Sequence, residues 1–118
     1  MSIYDSTQIV LERAIGGATL RHTVLADNVA NANTPGFQPR DVDFHGALRK
    51  AMASGEAAVE RLAVGPTGGT PVTVRADGSG FDPEAEAAKL AENGLELQAL
   101  VQVAAARTHI MRVAMGVR

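Results

Sequence analysis

The sequence predicts a mainly α-helical fold, in which two long terminal helices pack as a coiled-coil-like pair and a flexible Gly/Pro-rich connector joins them. Apolar residues recur at helical spacing over residues 1–34 and again over residues 82–118. Glycine and proline are concentrated between these two segments. Because 118 residues make one ordinary domain, we expect a single domain divided into residues 1–34, 35–81 and 82–118.

Composition limits the core and the classes of partner. Hydrophobic residues make up 46% of the chain, but with three Phe, one Tyr and no Trp the core that one copy can build is thin. The formal charge is −2, from 11 basic and 13 acidic side chains, which does not supply the basic surface that binds nucleic acid. Nucleic acid is therefore not an expected partner.

The chain shows neither disulfide chemistry nor a secretory signal. It has no Cys, which excludes disulfides and Cys-based zinc sites. Asp5, Glu12 and Arg13 interrupt the apolar run that a cleavable signal peptide needs. No segment approaches the roughly 18 apolar residues of a membrane span. If the protein leaves the cytoplasm, we expect a route that uses no cleaved signal.

The first element is predicted to be a helix over residues 4–32. Gly16 and Gly17 each cost about 1 kcal/mol relative to Ala, so this helix needs a partner surface. It is expected to end before Pro35, which disfavours helix in the preceding residue, and Gly36, which permits positive φ. The apolar stripe predicted to face the partner consists of Tyr4, Leu11, Ile15, Ala18, His22, Leu25, Val29 and Ala32.

The middle of the chain is predicted to hold little regular structure. Residues 45–53 are expected to form a short helix. Residues 54–80 are expected to be a flexible, mostly exposed connector, because Gly and Pro are dense there. Within it, residues 58–64 and 71–75 could pair as a short β-hairpin.

The last third is predicted to be a long helix over residues 83–118. Asp82 suits the N-cap and Pro83 the first helical position. Asn93-Gly94 is the weakest point, where the sequence permits a kink. A strict alternation of three and four residues is typical of a coiled-coil seam. This alternation runs through Ala87, Leu90, Gly94, Leu97, Val101, Ala104, Thr108, Met111 and Met115.

A second apolar stripe lies beside this seam on the same helix. Its members are Leu100, Val103, Arg107, Ile110, Ala114 and Val117. A single partner within the chain cannot cover two apolar faces, so other chains are expected to bury the second one. The sequence therefore predicts a protein that assembles with other chains.

The sequence contains no catalytic elbow, phosphate-binding loop or dinucleotide fingerprint. Asp41, Asp43 and His45 alternate, so an extended segment would place them on one side, where they could hold a divalent metal. A solvated loop is the favoured interpretation, because no second cluster accompanies them.

His22 and His109 are interpreted as partly buried, hydrogen-bonded side chains. We predict no enzyme activity, cofactor, metal ion or small-molecule substrate.

Residues 25–37, LADNVANANTPGF, resemble the N-terminal signature of the flagellar axial proteins that build the bacterial rod and hook. In that signature a helix ends in an Asn-rich turn followed by Pro-Gly-aromatic. Residues 40–44 and 89–103, with the short total length, look most like the proximal-rod members of this family. The resemblance covers about residues 8–50 and 82–118. The motif residues are Asn28, Asn31, Asn33, Thr34, Pro35, Gly36 and Phe37.

The resemblance implies a structural subunit of the flagellar basal-body rod, exported by the type III apparatus and assembled in the periplasm. It implies torque transmission as the physical role and an inner layer of packed terminal helices. The implied partners are other rod subunits, through self-assembly or hetero-assembly, the junction of membrane ring and rod, and the export apparatus. Two alternatives remain: the neighbouring proximal-rod subunit, and a small metal-binding protein that uses Asp41, Asp43 and His45.

Overall fold

The computed structural model describes residues 6–62, 72–74 and 82–116. Within them, four helices and two short strands follow one another along the chain. The most extensive contact in the fold joins the first helix to the last. The mainly α-helical fold and the packed pair of long helices are thereby confirmed. The elements are α1 (Ser6–Ala30), β1 (Arg40–Val42), α2 (Phe44–Ala53), α3 (Glu56–Arg61), β2 (Val72–Val74) and α4 (Pro83–Ala114).

The two long helices run antiparallel. Asn28, near the end of α1, contacts Glu86, near the start of α4. Ala18, in the middle of α1, contacts Asn93, further along α4. α1 ends two residues before its predicted end, and Tyr4 lies outside the described residues.

The core consists of two clusters that follow one another along α1. One cluster joins the middle of α1 to β1 and the start of α2, and Leu97 and Leu100 of α4 pack against it. The other cluster joins the start of α1 to α2 and α3. Both clusters are small, as the composition predicts. The buried members of the first are Ala18, Leu20, Val24, Val42 and Phe44, and those of the second are Ile9, Ala51 and Val59.

The predicted hairpin is wrong in its first strand and in its pairing. Residues 56–61 form α3, because Glu, Ala and Arg are good helix formers, and Val59 is buried in the second cluster. This part of the connector is therefore ordered and partly buried. β2 falls within the predicted second strand, but it pairs antiparallel with β1, with Arg40 opposite Val74. Residues 63–71 and 75–81 lie outside the described residues.

α4 begins where the sequence predicts and continues through Gly94 without a break. The Asp82 side chain caps it by accepting a hydrogen bond from the Glu84 backbone N–H at 3.0 Å. It ends at Ala114, and Gly116 beyond it has a φ of 73°. Within residues 6–62, 72–74 and 82–116, no helix combines the length and apolarity that crossing a membrane requires.

Gly17 allows α2 to approach α1. A Cβ atom at Gly17 would lie 2.5–2.6 Å from three side-chain carbons of Phe44, which is 1% exposed and packed on several sides. We therefore expect Gly17→Ala to destabilise the fold by about 1–3 kcal/mol, although Ala is the better helix former.

Gly94→Ala is the matched control for this prediction. A Cβ atom at Gly94 would have the Cε1 atom of His22 as its nearest neighbour, at an ordinary 3.9 Å. This variant should gain up to about 1 kcal/mol from helix propensity alone. Urea unfolding of both variants measures the difference. A similar gain in stability for both would show that Phe44 does not restrict Gly17.

Candidate assembly interface

The face of α4 that packs on α1 follows an alternation of four and three residues and coincides only in part with the predicted stripes. The first predicted stripe supplies Leu90, Leu97, Ala104 and Met111, and the second supplies Leu100 and Arg107. Glu86 and Asn93, which no apolar pattern predicts, are both buried on this face. The inward face consists of Glu86, Leu90, Asn93, Leu97, Leu100, Ala104, Arg107 and Met111, all buried or half-buried.

Asn93 links the two long helices through a backbone contact. Its Nδ2 atom donates a hydrogen bond to the Ala18 carbonyl oxygen at 2.9 Å, and both residues are fully buried. A buried polar side chain in a helix seam favours the one register in which it finds its partner. Asn93 therefore fixes the axial position of α4 on α1.

Asn28 joins three elements at the end of α1. Its Nδ2 atom donates to the Arg40 carbonyl oxygen at 2.7 Å and to Oε2 of Glu86 at 3.1 Å. Its Oδ1 atom accepts a hydrogen bond from the Arg40 backbone N–H at 3.0 Å. Asn28 and Glu86 are both buried, so α1, β1 and α4 meet at one polar contact shielded from water.

The Asn-rich motif forms a tight turn after α1. Nδ2 of Asn31 donates to the Asp27 carbonyl oxygen at 2.9 Å, and Oδ1 of Asn31 accepts from the Thr34 hydroxyl at 3.2 Å. The Phe37 backbone N–H then donates to the Thr34 carbonyl oxygen at 3.2 Å. Pro35 and Gly36 occupy the two central positions of this turn, which is the arrangement of a type II turn. Asn33 and Pro35 are exposed, and Phe37 is half-buried.

Gly36 has a φ of 79°, the conformation that a β-branched residue adopts only with strain. We expect Gly36→Val to cost on the order of 1–3 kcal/mol and to impair assembly. No atom lies within 4 Å of a Cβ atom at this position, so the cost is one of backbone conformation. Gly36→Asn is the control, because Asn tolerates positive φ better. Normal motility and stability of the Val variant would show that the turn does not need this conformation.

The three side chains of the metal-site alternative have other partners. Asp41 holds Arg21, with Nε–Oδ1 and Nη2–Oδ2 distances of 2.9 and 3.3 Å, and this hydrogen bonding raises the pKa of Arg21. Asp43 caps the first turn of α2, and Nε2 of His45 contacts Oε1 of Glu96. In the described part of the chain, no group of three or more His, Cys, Asp or Glu could hold a metal ion. This geometry gives the metal-binding alternative no support.

The two remaining histidines differ from the expectation. His22 is half-buried between the long helices, but its Nδ1 atom makes no hydrogen bond within the described structure. His109 is exposed. The prediction of a partly buried, hydrogen-bonded side chain is therefore wrong for His109. His22 is partly buried as predicted, but its Nδ1 atom does not make the predicted hydrogen bond within the described structure.

The predicted packing residues fall into three groups. On α1, Leu11, Ala18 and Leu25 are buried, whereas Ile15 and Val29 are half-buried. On α4, Leu90, Leu97 and Met111 are half-buried, and Val101 and Met115 are exposed. One copy thus uses only part of its predicted packing surface.

The side of α4 opposite the inward face is apolar and open to solvent. Leu95 is 68% exposed, Val103 49%, Ile110 64% and Val113 62%. Such a run of large apolar side chains on a monomer is typical of a surface that binds another protein. At about 100° per residue these four side chains share one side of the helix with two exposed alanines. We name this surface the outer stripe: Leu95, Ala99, Val103, Ala106, Ile110 and Val113.

Comparison with known proteins identifies related chains. The family model described as flagella basal body rod protein matches residues 20–38, which include the whole Asn-rich motif. The flagellar basal body rod protein FlgB of Escherichia coli K12 is 31% identical over 105 residues, covering 74% of this chain and 76% of the relative. FlgB of Proteus mirabilis HI4320 is 29% identical over 106 residues, covering 75% and 77%. FlgB of Bacillus subtilis 168 is 26% identical over 114 residues, covering 86% and 87%.

Proposed function

The chain belongs to the FlgB branch of the flagellar basal-body rod protein family, and we propose that it is a structural subunit of the proximal rod, transmitting torque from motor to hook. Members of this family are structural components of the flagellar basal body. The observation that carries the proposal is the outer stripe of α4. In the described part of the chain its large apolar side chains are 49–68% exposed, so the surface suits an assembly.

In this proposal α1 and α4 form the inner packed layer of the rod. The buried contacts of Asn28 and Asn93 hold the two helices in one register, so force applied to one helix passes to the other. Neighbouring subunits then cover the outer stripe. Each large apolar side chain that becomes fully buried contributes roughly 1.5–3 kcal/mol. The turn of residues 31–37 sets the direction in which the chain leaves the inner layer.

The proposed partners are other rod subunits, the junction of membrane ring and rod, and the export apparatus. Export would precede folding into the rod and would use no cleaved signal. The FlgB names of the compared relatives favour this position over that of the neighbouring proximal-rod subunit. The proposal includes no catalytic step and no cofactor.

Retention in purified basal bodies tests this function. The strain lacks the chromosomal gene and produces either the natural chain or a Leu95→Asp/Ile110→Asp variant. We expect the natural chain to remain with the rod after detergent extraction and the variant to be lost, leaving cells non-motile. Ala57→Asp, at an exposed position of α3, is the control and should behave like the natural chain. Absence of the natural chain from basal bodies, or normal motility with the double variant, would refute the proposal.

A further inference from the structure

Asn93 is followed by the residue that least hinders an attack on its side chain. Gly94 has no Cβ atom, so in a chain released from the helix its backbone nitrogen reaches the Cγ atom of Asn93 easily. An Asn-Gly pair without fixed structure is therefore prone to close into a succinimide ring. The other three asparagines, Asn28, Asn31 and Asn33, are followed by Val, Ala and Thr, whose side chains shield the attacking nitrogen.

The fold holds the Asn93-Gly94 pair in a geometry that prevents this attack. α4 continues through Gly94, and in an α-helix the N–H of residue 94 donates to the carbonyl oxygen of residue 90. The Asn93 side chain is fully buried, and its Nδ2 atom donates to the Ala18 carbonyl oxygen at 2.9 Å. The attacking nitrogen and the target amide are thus both engaged, and both lie away from the water that would open the ring.

We propose that Asn93-Gly94 is a deamidation site that the packing of α4 on α1 protects, so that the pair reacts in the unfolded chain and is blocked in the folded one. Solvent base removes the proton from the Gly94 backbone N–H. That nitrogen forms a bond to Cγ of Asn93 while the bond from Cγ to Nδ2 breaks, and Nδ2 takes a proton from solvent and leaves as ammonia.

Water completes the reaction by opening the succinimide ring. Cleavage of the bond between Cγ and the ring nitrogen gives Asp at position 93. Cleavage of the bond between the ring nitrogen and the main-chain carbonyl carbon of residue 93 gives isoaspartate instead. In either case the nitrogen regains a proton and the carbon gains a hydroxyl group, so the reaction consumes one water and needs no oxidant or cofactor.

Neither product fits the contact between α1 and α4. An Asp at position 93 replaces the Nδ2 donor with an oxygen that faces the Ala18 carbonyl oxygen, and two acceptors repel each other. The Oδ1 atom of Asn93 is buried and accepts no hydrogen bond in the described structure, so the second carboxylate oxygen would also lack a donor. Isoaspartate lengthens the main chain by one carbon, which shifts the rest of α4 out of register.

The state of residue 93 therefore records how long a chain has stayed unfolded. A chain that folds promptly keeps Asn93, whereas a chain that waits loses the side chain that positions α4 on α1. This inference concerns the folding of the chain and does not depend on the rod function. Absence of the chain from the rod would leave the protection of Asn93 intact, and an unprotected Asn93 would leave the rod proposal intact.

Peptide mass spectrometry of the full chain tests the protection. The natural chain is incubated in native buffer and in concentrated guanidinium chloride at the same pH and temperature. After digestion at mildly acidic pH, where deamidation is slow, the tryptic peptide of residues 90–107 is quantified over time. We expect deamidation to be at least about tenfold faster in denaturant, because a stable fold leaves few copies open. Equal rates in the two buffers would overturn the proposal.

Gly94→Ala separates the chemistry of the pair from its burial. The nearest neighbour of a Cβ atom at this position is Cε1 of His22 at 3.9 Å, so the fold accommodates the variant. In denaturant it should deamidate at least about fivefold more slowly than the natural chain, because the Cβ atom hinders the approach of the nitrogen. Exposed Asn33 is the internal reference. A natural chain in which Asn93 reacts no faster than Asn33 in denaturant would overturn the proposal.

Refolding tests the consequence for the contact between α1 and α4. A partly deamidated sample is diluted from denaturant into native buffer, and size-exclusion chromatography separates compact from expanded chains. We expect unmodified Asn93 to be enriched at least about fivefold in the compact fraction, because a buried carboxylate without a donor opposes folding. Equal shares of deamidated chain in both fractions would show that the fold tolerates the product, and would overturn the proposed record of unfolded time.

Discussion

Removal of residues 110–118 is expected to leave a chain that is soluble and exported but builds no rod, so that cells are non-motile. Ile110, Val113 and Met115 are 60–64% exposed, so one copy gains little from them. In the proposed rod each would be buried against a neighbour, at roughly 1.5–3 kcal/mol per fully buried large apolar side chain. The truncation therefore removes several kcal/mol of contact from every subunit while the N-terminal segment stays intact.

The truncated gene is tested in a strain that lacks the full-length gene, with basal bodies scored by electron microscopy and secreted protein by immunoblotting. Full-length Arg112→Ala is the matched control, because Arg112 is exposed in the same turns of α4 but lies off the outer stripe. The control should restore rods and motility. Intact rods containing the shortened subunit would show that the last turns of α4 are not an essential packing surface.

Asn28→Ala is expected to destabilise the folded chain severely. The substitution leaves the backbone N–H and C=O of Arg40 without their side-chain partner and removes a donor from the buried Glu86 carboxylate. Each buried group left unpaired costs about 1–3 kcal/mol. The sum is a large share of the roughly 5–15 kcal/mol that stabilises an ordinary domain.

Asn33→Ala is the matched control, because Asn33 belongs to the same Asn-rich motif but is exposed. Its effect should stay within about 0.5 kcal/mol, as for most surface substitutions. Urea unfolding followed by circular dichroism compares the two variants. Equal stability of both would mean that the buried contact of Asn28 contributes nothing to the fold.

Local sequence signals predicted the starts of α2 and α4 well, but not α3. The Asp82 cap and Pro83 placed the start of α4 correctly, because both act within one helical turn. The short helix before Ser54 was predicted to within one residue of its observed start. The pairing of β1 with β2 was missed because it joins segments about 30 residues apart, and nothing in either three-residue strand specifies a partner.

The predicted stripes of α4 missed Glu86 and Asn93, because apolar periodicity gives no signal for a polar residue that is buried. Glu86 and Asn93 continue the alternation of four and three residues through Leu90 and Leu97. Their spacing along the helix, and not their residue type, was therefore the signal that could have predicted their burial. Gly17 was likewise interpreted as a weak point of α1. Its contact with Phe44 depends on the tertiary fold and cannot be inferred from the helix alone.

The antiparallel pairing of α1 with α4 also has a consequence for the time course of folding. The two helices lie at opposite ends of the chain, and synthesis delivers α4 last. Until then, Ala18 on α1 lacks its partner Asn93, and the intervening segment must close as one long loop before the contact forms. A ribosome-bound chain that ends before Pro83 should therefore remain open to protease, whereas the full-length chain should become resistant once α4 has left the ribosome. Under the proposed function, such a delay keeps the newly made chain from completing its fold before export.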